Sequence, residues 1–92
     1  MFMNPLENKI QVINRMLKFI GEYHKAFNKP VPLRILSAKY SRMCISVGGF
    51  PEVINQLCEE KAITVLLLKS GAKVVYPPGV SETIIILDAA KL

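Results

Sequence analysis

The chain has 92 residues, 51% hydrophobic and 21% charged, which leaves room for one domain (residues 1–92) and excludes a disordered polymer. The longest apolar runs, 63–68 and 84–87, fall short of the roughly 18 residues a membrane span requires. The start, MFMNPLENK, lacks the basic-then-apolar pattern of a secretory signal, so a soluble intracellular protein with no membrane partner is expected. The net charge of +5 is uneven: residues 1–51 carry eight basic side chains against two acidic ones, a net +6, whereas residues 52–92 carry four against five, a net −1.

The first element is signalled by Asn4-Pro5-Leu6-Glu7, with Asn as N-cap, Pro at the first helical position and Glu closing a capping box. Leu6, Ile10, Ile13, Leu17, Ile20, His24 and Phe27 then recur every three or four residues, and Val12, Met16, Phe19 and Tyr23 form a second row beside them. Together the rows cover about half of a helix that ends near Asn28. Gln11, Asn14, Arg15, Lys18, Glu22 and Lys25 fill its polar half.

Pro30-Val31-Pro32 reads as a stiff connector, and Leu33, Leu36, Tyr40 and Met43 predict a second helix from about Pro32 to Arg42. Cys44–Gly49 reads as a turn around Gly48-Gly49. Pro51 opens a third helix that buries Val53, Ile54, Leu57 and Cys58 and ends near Glu60–Ala62. The period then changes: 63–69 and 72–76 are β-branched strands joined at Ser70-Gly71, and Pro77-Pro78-Gly79 stops the second. In the tail, Ser81-Glu82 resembles a helix start while Thr83-Ile-Ile-Ile prefers a strand. Ala89-Ala90-Lys91, following without a turn, favours a helix.

Helix, helix, turn, helix and hairpin, in that order, resemble a winged helix-turn-helix over about residues 8–77, an α+β fold. Leu33, Leu36, Ala38 and Tyr40 match the buried positions of that family's second helix. Phe50, Val53, Ile54, Leu57 and Ile63 match its third helix and the lead into the wing, and Lys69-Ser-Gly-Ala-Lys73 matches the wing tip. Val31-Pro-Leu, Tyr40, Gly49-Phe50 and Lys73-Val-Val-Tyr76 are also similar to LOTUS domains, winged helices that bind helicases or structured RNA. The path from Leu57 through the wing resembles a winged-helix ribosomal protein of the small subunit.

The basic half suggests contact with a polyanion. A small double-stranded-DNA-binding transcription regulator is expected, the alternative being a winged helix that binds protein or RNA. In such folds the third helix enters the major groove, which assigns Asn55 and Gln56 to base edges; Glu59 and Glu60 beside them oppose phosphates. Lys39, Arg42, Ser46, Lys69 and Lys73 are expected to grip the phosphate backbone. His24 lies on an apolar face with no carboxylate spaced to orient it, and the chain has no GxGxxG, P-loop or GxSxG, so no enzyme is expected. Neither a metal nor a cofactor is expected: Cys44 and Cys58 lack CxxC spacing, His24 is the only histidine, and the cysteines read as reduced core residues. Met16, Phe19 and Tyr23 exceed what a stripe needs to seat the first helix. Either a C-terminal helix, 84–92, covers them within one chain, or they form a homodimer interface together with the tail; the dimer is the expectation taken forward.

Overall fold

The structure, a computed structural model, describes residues 5–91, with side chains described for 7–87 and 90. It is α+β: four helices and a three-stranded antiparallel sheet. In chain order these are α1 (Pro5–Phe27), β1 (Val31–Pro32), α2 (Leu33–Cys44), a 3₁₀ turn (Ile45–Val47), α3 (Phe50–Glu59), β2 (Thr64–Leu67), β3 (Lys73–Tyr76) and α4 (Glu82–Lys91). The expected N-cap Asn4 and the apolar Phe2 lie outside the described residues. Among the described residues, no helix is long and apolar enough to cross a membrane.

Each boundary has a local cause. Asn28, with φ of +53°, ends α1 in the left-handed conformation, and its N–H donates to the His24 carbonyl at 2.8 Å. α2 runs two residues past its expected end and tightens into the 3₁₀ turn before Gly48, at φ +109°, reverses the chain. α3 closes in a Schellman arrangement, with the Ala62 N–H donating to the Leu57 carbonyl and the Lys61 N–H to that of Cys58. α4 starts where Ser81 caps it, its Oγ accepting from the Ile84 N–H at 3.2 Å.

The sheet order is β1-β3-β2. Val65 and Val31 flank Val75 from opposite sides, so the segment expected to be a connector is an edge strand. Pro32 is tolerated there because an edge residue need not donate on its outer side. Lys69-Ser70-Gly71 forms a three-residue hairpin loop: the Gly71 N–H donates to the Leu68 carbonyl, and the Leu68 N–H to that of Ala72. Gly71, at φ +92°, supplies the left-handed residue this loop type demands.

Alternate residues of β3 serve two apolar clusters. Val75 joins Val12, Met16, Ile20, Val31, Leu36, Tyr40, Cys44, Val53, Ile54 and Leu57 in the main core, whereas Val74 and Tyr76 meet Ile85 of α4 on the other face. Burial on both faces is why this strand is apolar without alternation.

Two expectations are corrected here. Met16 is fully buried, and Phe19 and Tyr23 pack half-buried on the core edge, while Ile10 and Phe27 are 49% and 61% exposed. Met16, Phe19 and Tyr23 are therefore not an outward row free to join a second copy. Periodicity sets the width of an apolar face but not the line within it that meets the domain. That line is chosen by α2, whose Cys44 Sγ approaches Met16 Sδ at 3.9 Å and whose Tyr40 ring lies 5.9 Å from that of Phe19. Ala38, expected to be buried, is exposed: α2 turns Leu36, Tyr40 and Cys44 inward.

Candidate nucleic-acid interface

Two groups of exposed cations flank α2: Arg15, Lys18 and Lys39 on one side, and Lys29, Arg34 and Lys73 on the other. On the flank facing α1, Arg15, Lys18 and Lys39 surround a hollow floored by Phe19, Tyr40 and Met43, with Glu22 as its one carboxylate. The Lys39 ammonium stands 4.9 Å above the Phe19 ring centre, a cation–π contact that holds it against α1. Lys18 and Glu22 pair at 3.9 Å, but both are solvated, so the pair contributes little and leaves Lys18 available to an anion.

On the opposite flank, Arg34 and Ser37 of α2 share a cavity with Lys73 of the hairpin and Lys29 of the α1–β1 connector. Among the described residues, no carboxylate lines it. Lys69, exposed in the hairpin loop, lies beside this flank in sequence.

The expected phosphate grip is thus divided. Lys39 sits over α1, away from the hairpin cavity that Lys73 lines. Ser46 is exposed in the 3₁₀ turn, where its Oγ accepts from Asn8 Nδ2 at 2.9 Å. Asn8 is near the start of α1, whereas Tyr23, near its end, lines the cavity with Lys73. At 1.5 Å per residue, about 22 Å of helix separates Asn8 from Tyr23. Arg42 is exposed on α2.

On α3, Asn55 is exposed, and Gln56 is half-buried with its Nε2 donating to Glu60 Oε1 at 3.1 Å. Reading a base would require Gln56 to break that bond. Glu52, Glu59 and Glu60 are exposed on the same helix, and its outer face carries no cation.

One arrangement was missed in the sequence. Phe27, Tyr23, Phe19 and Tyr40 form a continuous run of rings, with successive centres 4.7, 6.0 and 5.9 Å apart. Arg15, Lys18 and Lys39 border its inner end. The i, i+4 spacing of Phe19, Tyr23 and Phe27 carries this run, whereas the sequence alone assigns Phe19 and Tyr23 to a dimer interface and Phe27 to the row that seats the helix.

The two cysteines and Tyr40 are structural. Burial pushes both cysteine thiols up from their ordinary value, with a backbone hydrogen bond at Val65 opposing this for Cys58, and both are free. Neither has the thiolate character a nucleophile needs at neutral pH. Burial also raises the Tyr40 phenol, partly offset by Arg15, and its hydroxyl donates weakly to the Arg15 carbonyl at 3.4 Å. Among the described residues, no three His, Cys, Asp or Glu side chains converge as metal ligands would. No family model, curated protein or solved structure matches the chain.

Proposed function

We propose that this chain is a winged helix that binds nucleic acid through its phosphates, with duplex DNA as the first substrate and transcription control inside the cell as its role. Helix order, the short turn between α2 and α3, and a hairpin paired to β1 support the winged-helix reading. The single observation that carries the function is the array of cations on both flanks of α2 against one carboxylate, Glu22. Lys69 and Lys73 of the hairpin and the exposed Arg42 of α2 hold the backbone, together with Lys39 on the flank of α2 that faces α1. Because α3 offers exposed Asn55 among three carboxylates, binding is weakly selective for sequence.

A second reading is single-stranded RNA, favoured by the exposed Phe27 ring at the outer end of the run, with half-buried Tyr23 beside it, as a platform for a stacked base. Neither reading draws on the first-helix dimer or on catalysis.

The test is a gel-shift panel of one sequence as duplex DNA, as single-stranded RNA and as a structured RNA. Duplex preferred by about tenfold, with Lys69→Ala/Lys73→Ala weakening all duplexes alike, supports the first reading. Preference for single strands, lost in Tyr23→Ala, would move the function to the α1 ring surface. Binding to none of the three leaves a protein-interaction module.

A further inference from the structure

The cavity beside the hairpin is larger and more apolar than phosphate binding requires. It is a half-open groove of about 650 Å³ between the end of α1, the first turns of α2, the start of α3 and the hairpin. That volume falls within the range of roughly 300–1,000 Å³ typical of small-molecule sites. Leu33, Phe50, Leu68 and Val74 form its walls. A phosphodiester chain could reach Lys73 from outside but would gain nothing from these side chains.

The charged lining is of one sign: Lys29, Arg34 and Lys73, from three separate segments, with no carboxylate among the described lining residues. An uncharged ligand would gain nothing from these solvated cations, and a polyanion would gain nothing from the walls. A single anionic group on an apolar body satisfies both.

We propose that this cavity binds a small apolar carboxylate, its tail against Leu33, Phe50, Leu68 and Val74 and its head between Arg34, Lys29 and Lys73. The ligand would be an acyl or aromatic acid, for which octanoate serves as the probe. Because Lys73 also belongs to the proposed phosphate grip, the acid competes with nucleic acid and acts as its effector. This consequence rests on the function proposed above; occupancy of the cavity does not.

The test uses the whole chain and three probes: octanoate, octanol with a matched tail but no charge, and acetate with the charge but no tail. Binding is followed by amide chemical shifts. Octanoate is expected to saturate with shifts at Leu33, Phe50, Leu68 and Val74, octanol to bind about tenfold more weakly, and acetate not to saturate. Lys29→Glu/Arg34→Glu, both exposed positions away from the core, should weaken octanoate by about tenfold or more and leave octanol unchanged, with an otherwise native spectrum. Ala72→Trp, at an exposed lining position, should fill the mouth and weaken both. Absence of saturation by octanoate, equal binding of octanoate and octanol, or shifts confined to other residues would each overturn the proposal. So would movement of the same resonances with protein concentration alone, which would mean that a second copy occupies the cavity. Duplex DNA added to octanoate-saturated protein should bind more weakly. If the protein binds no DNA even without octanoate, the function fails while the ligand result stands.

Discussion

Lys61 ends α3 at φ +59°, a conformation in which a side chain crowds its own backbone. The Schellman hydrogen bonds of Lys61 and Ala62 hold it there. Lys61→Gly removes the crowding and should stabilise the protein by about 1 kcal/mol, read as a higher urea midpoint. An unchanged midpoint would mean that the left-handed position costs nothing here. Phe19 tests the other residue-scale finding, the corrected face of α1. Its ring packs on those of Tyr40 and Tyr23 and beneath Lys39. Phe19→Glu should therefore cost about 2–3 kcal/mol by loss of apolar burial and yield a less stable protein. A stable variant of lower molecular mass by light scattering would instead restore Phe19 to an interface between copies.

At the scale of elements, what the sequence made legible tracks what is decided locally. The end of α1 at Asn28, the hairpin at Ser70-Gly71 and the start of α4 at Ser81 all carry capping or turn residues whose chemistry acts within a few positions. β1 was not legible because two residues have no period; Val31 and Pro32 become a strand only when β3 lies beside them. The placement of Met16 and Phe19 on the domain is not legible for the same kind of reason, since their partners Cys44 and Tyr40 are more than 20 residues away along the chain. Of the candidate site, the residue types were legible but not their grouping: Lys39 and Ser46 are turned toward α1 by Phe19 and Asn8. α4 is held by Ile85 against Val74 and Tyr76 and leaves Ile84, Ile86 and Leu87 exposed. It should open before the main core does. Ser81→Ala, which removes the acceptor for the Ile84 N–H, should cost α4 about 1 kcal/mol. Hydrogen exchange would show this as faster exchange across 82–91 with Leu36 and Val75 unaffected. Equal acceleration everywhere would mean that α4 opens only with the whole domain.

Across the whole molecule, charge is partitioned as the chain is. The basic first half supplies α1 and α2, the acidic second half supplies most of α3 and α4, and the hairpin lysines Lys69 and Lys73 extend the basic surface beyond α2. A polyanion meeting this surface is drawn toward α2 and the hairpin and repelled from α3, which is why backbone contact rather than base reading dominates the proposed function. The most direct measurement is the affinity for a labelled duplex of about 20 base pairs as salt rises from roughly 50 to 300 mM. If four of the α2 and hairpin cations each neutralise one phosphate, log affinity should fall against log salt with a slope of about −4, and Lys69→Ala/Lys73→Ala should reduce that slope by about 2. A slope near zero, or one unchanged by the double variant, would contradict the phosphate-binding account.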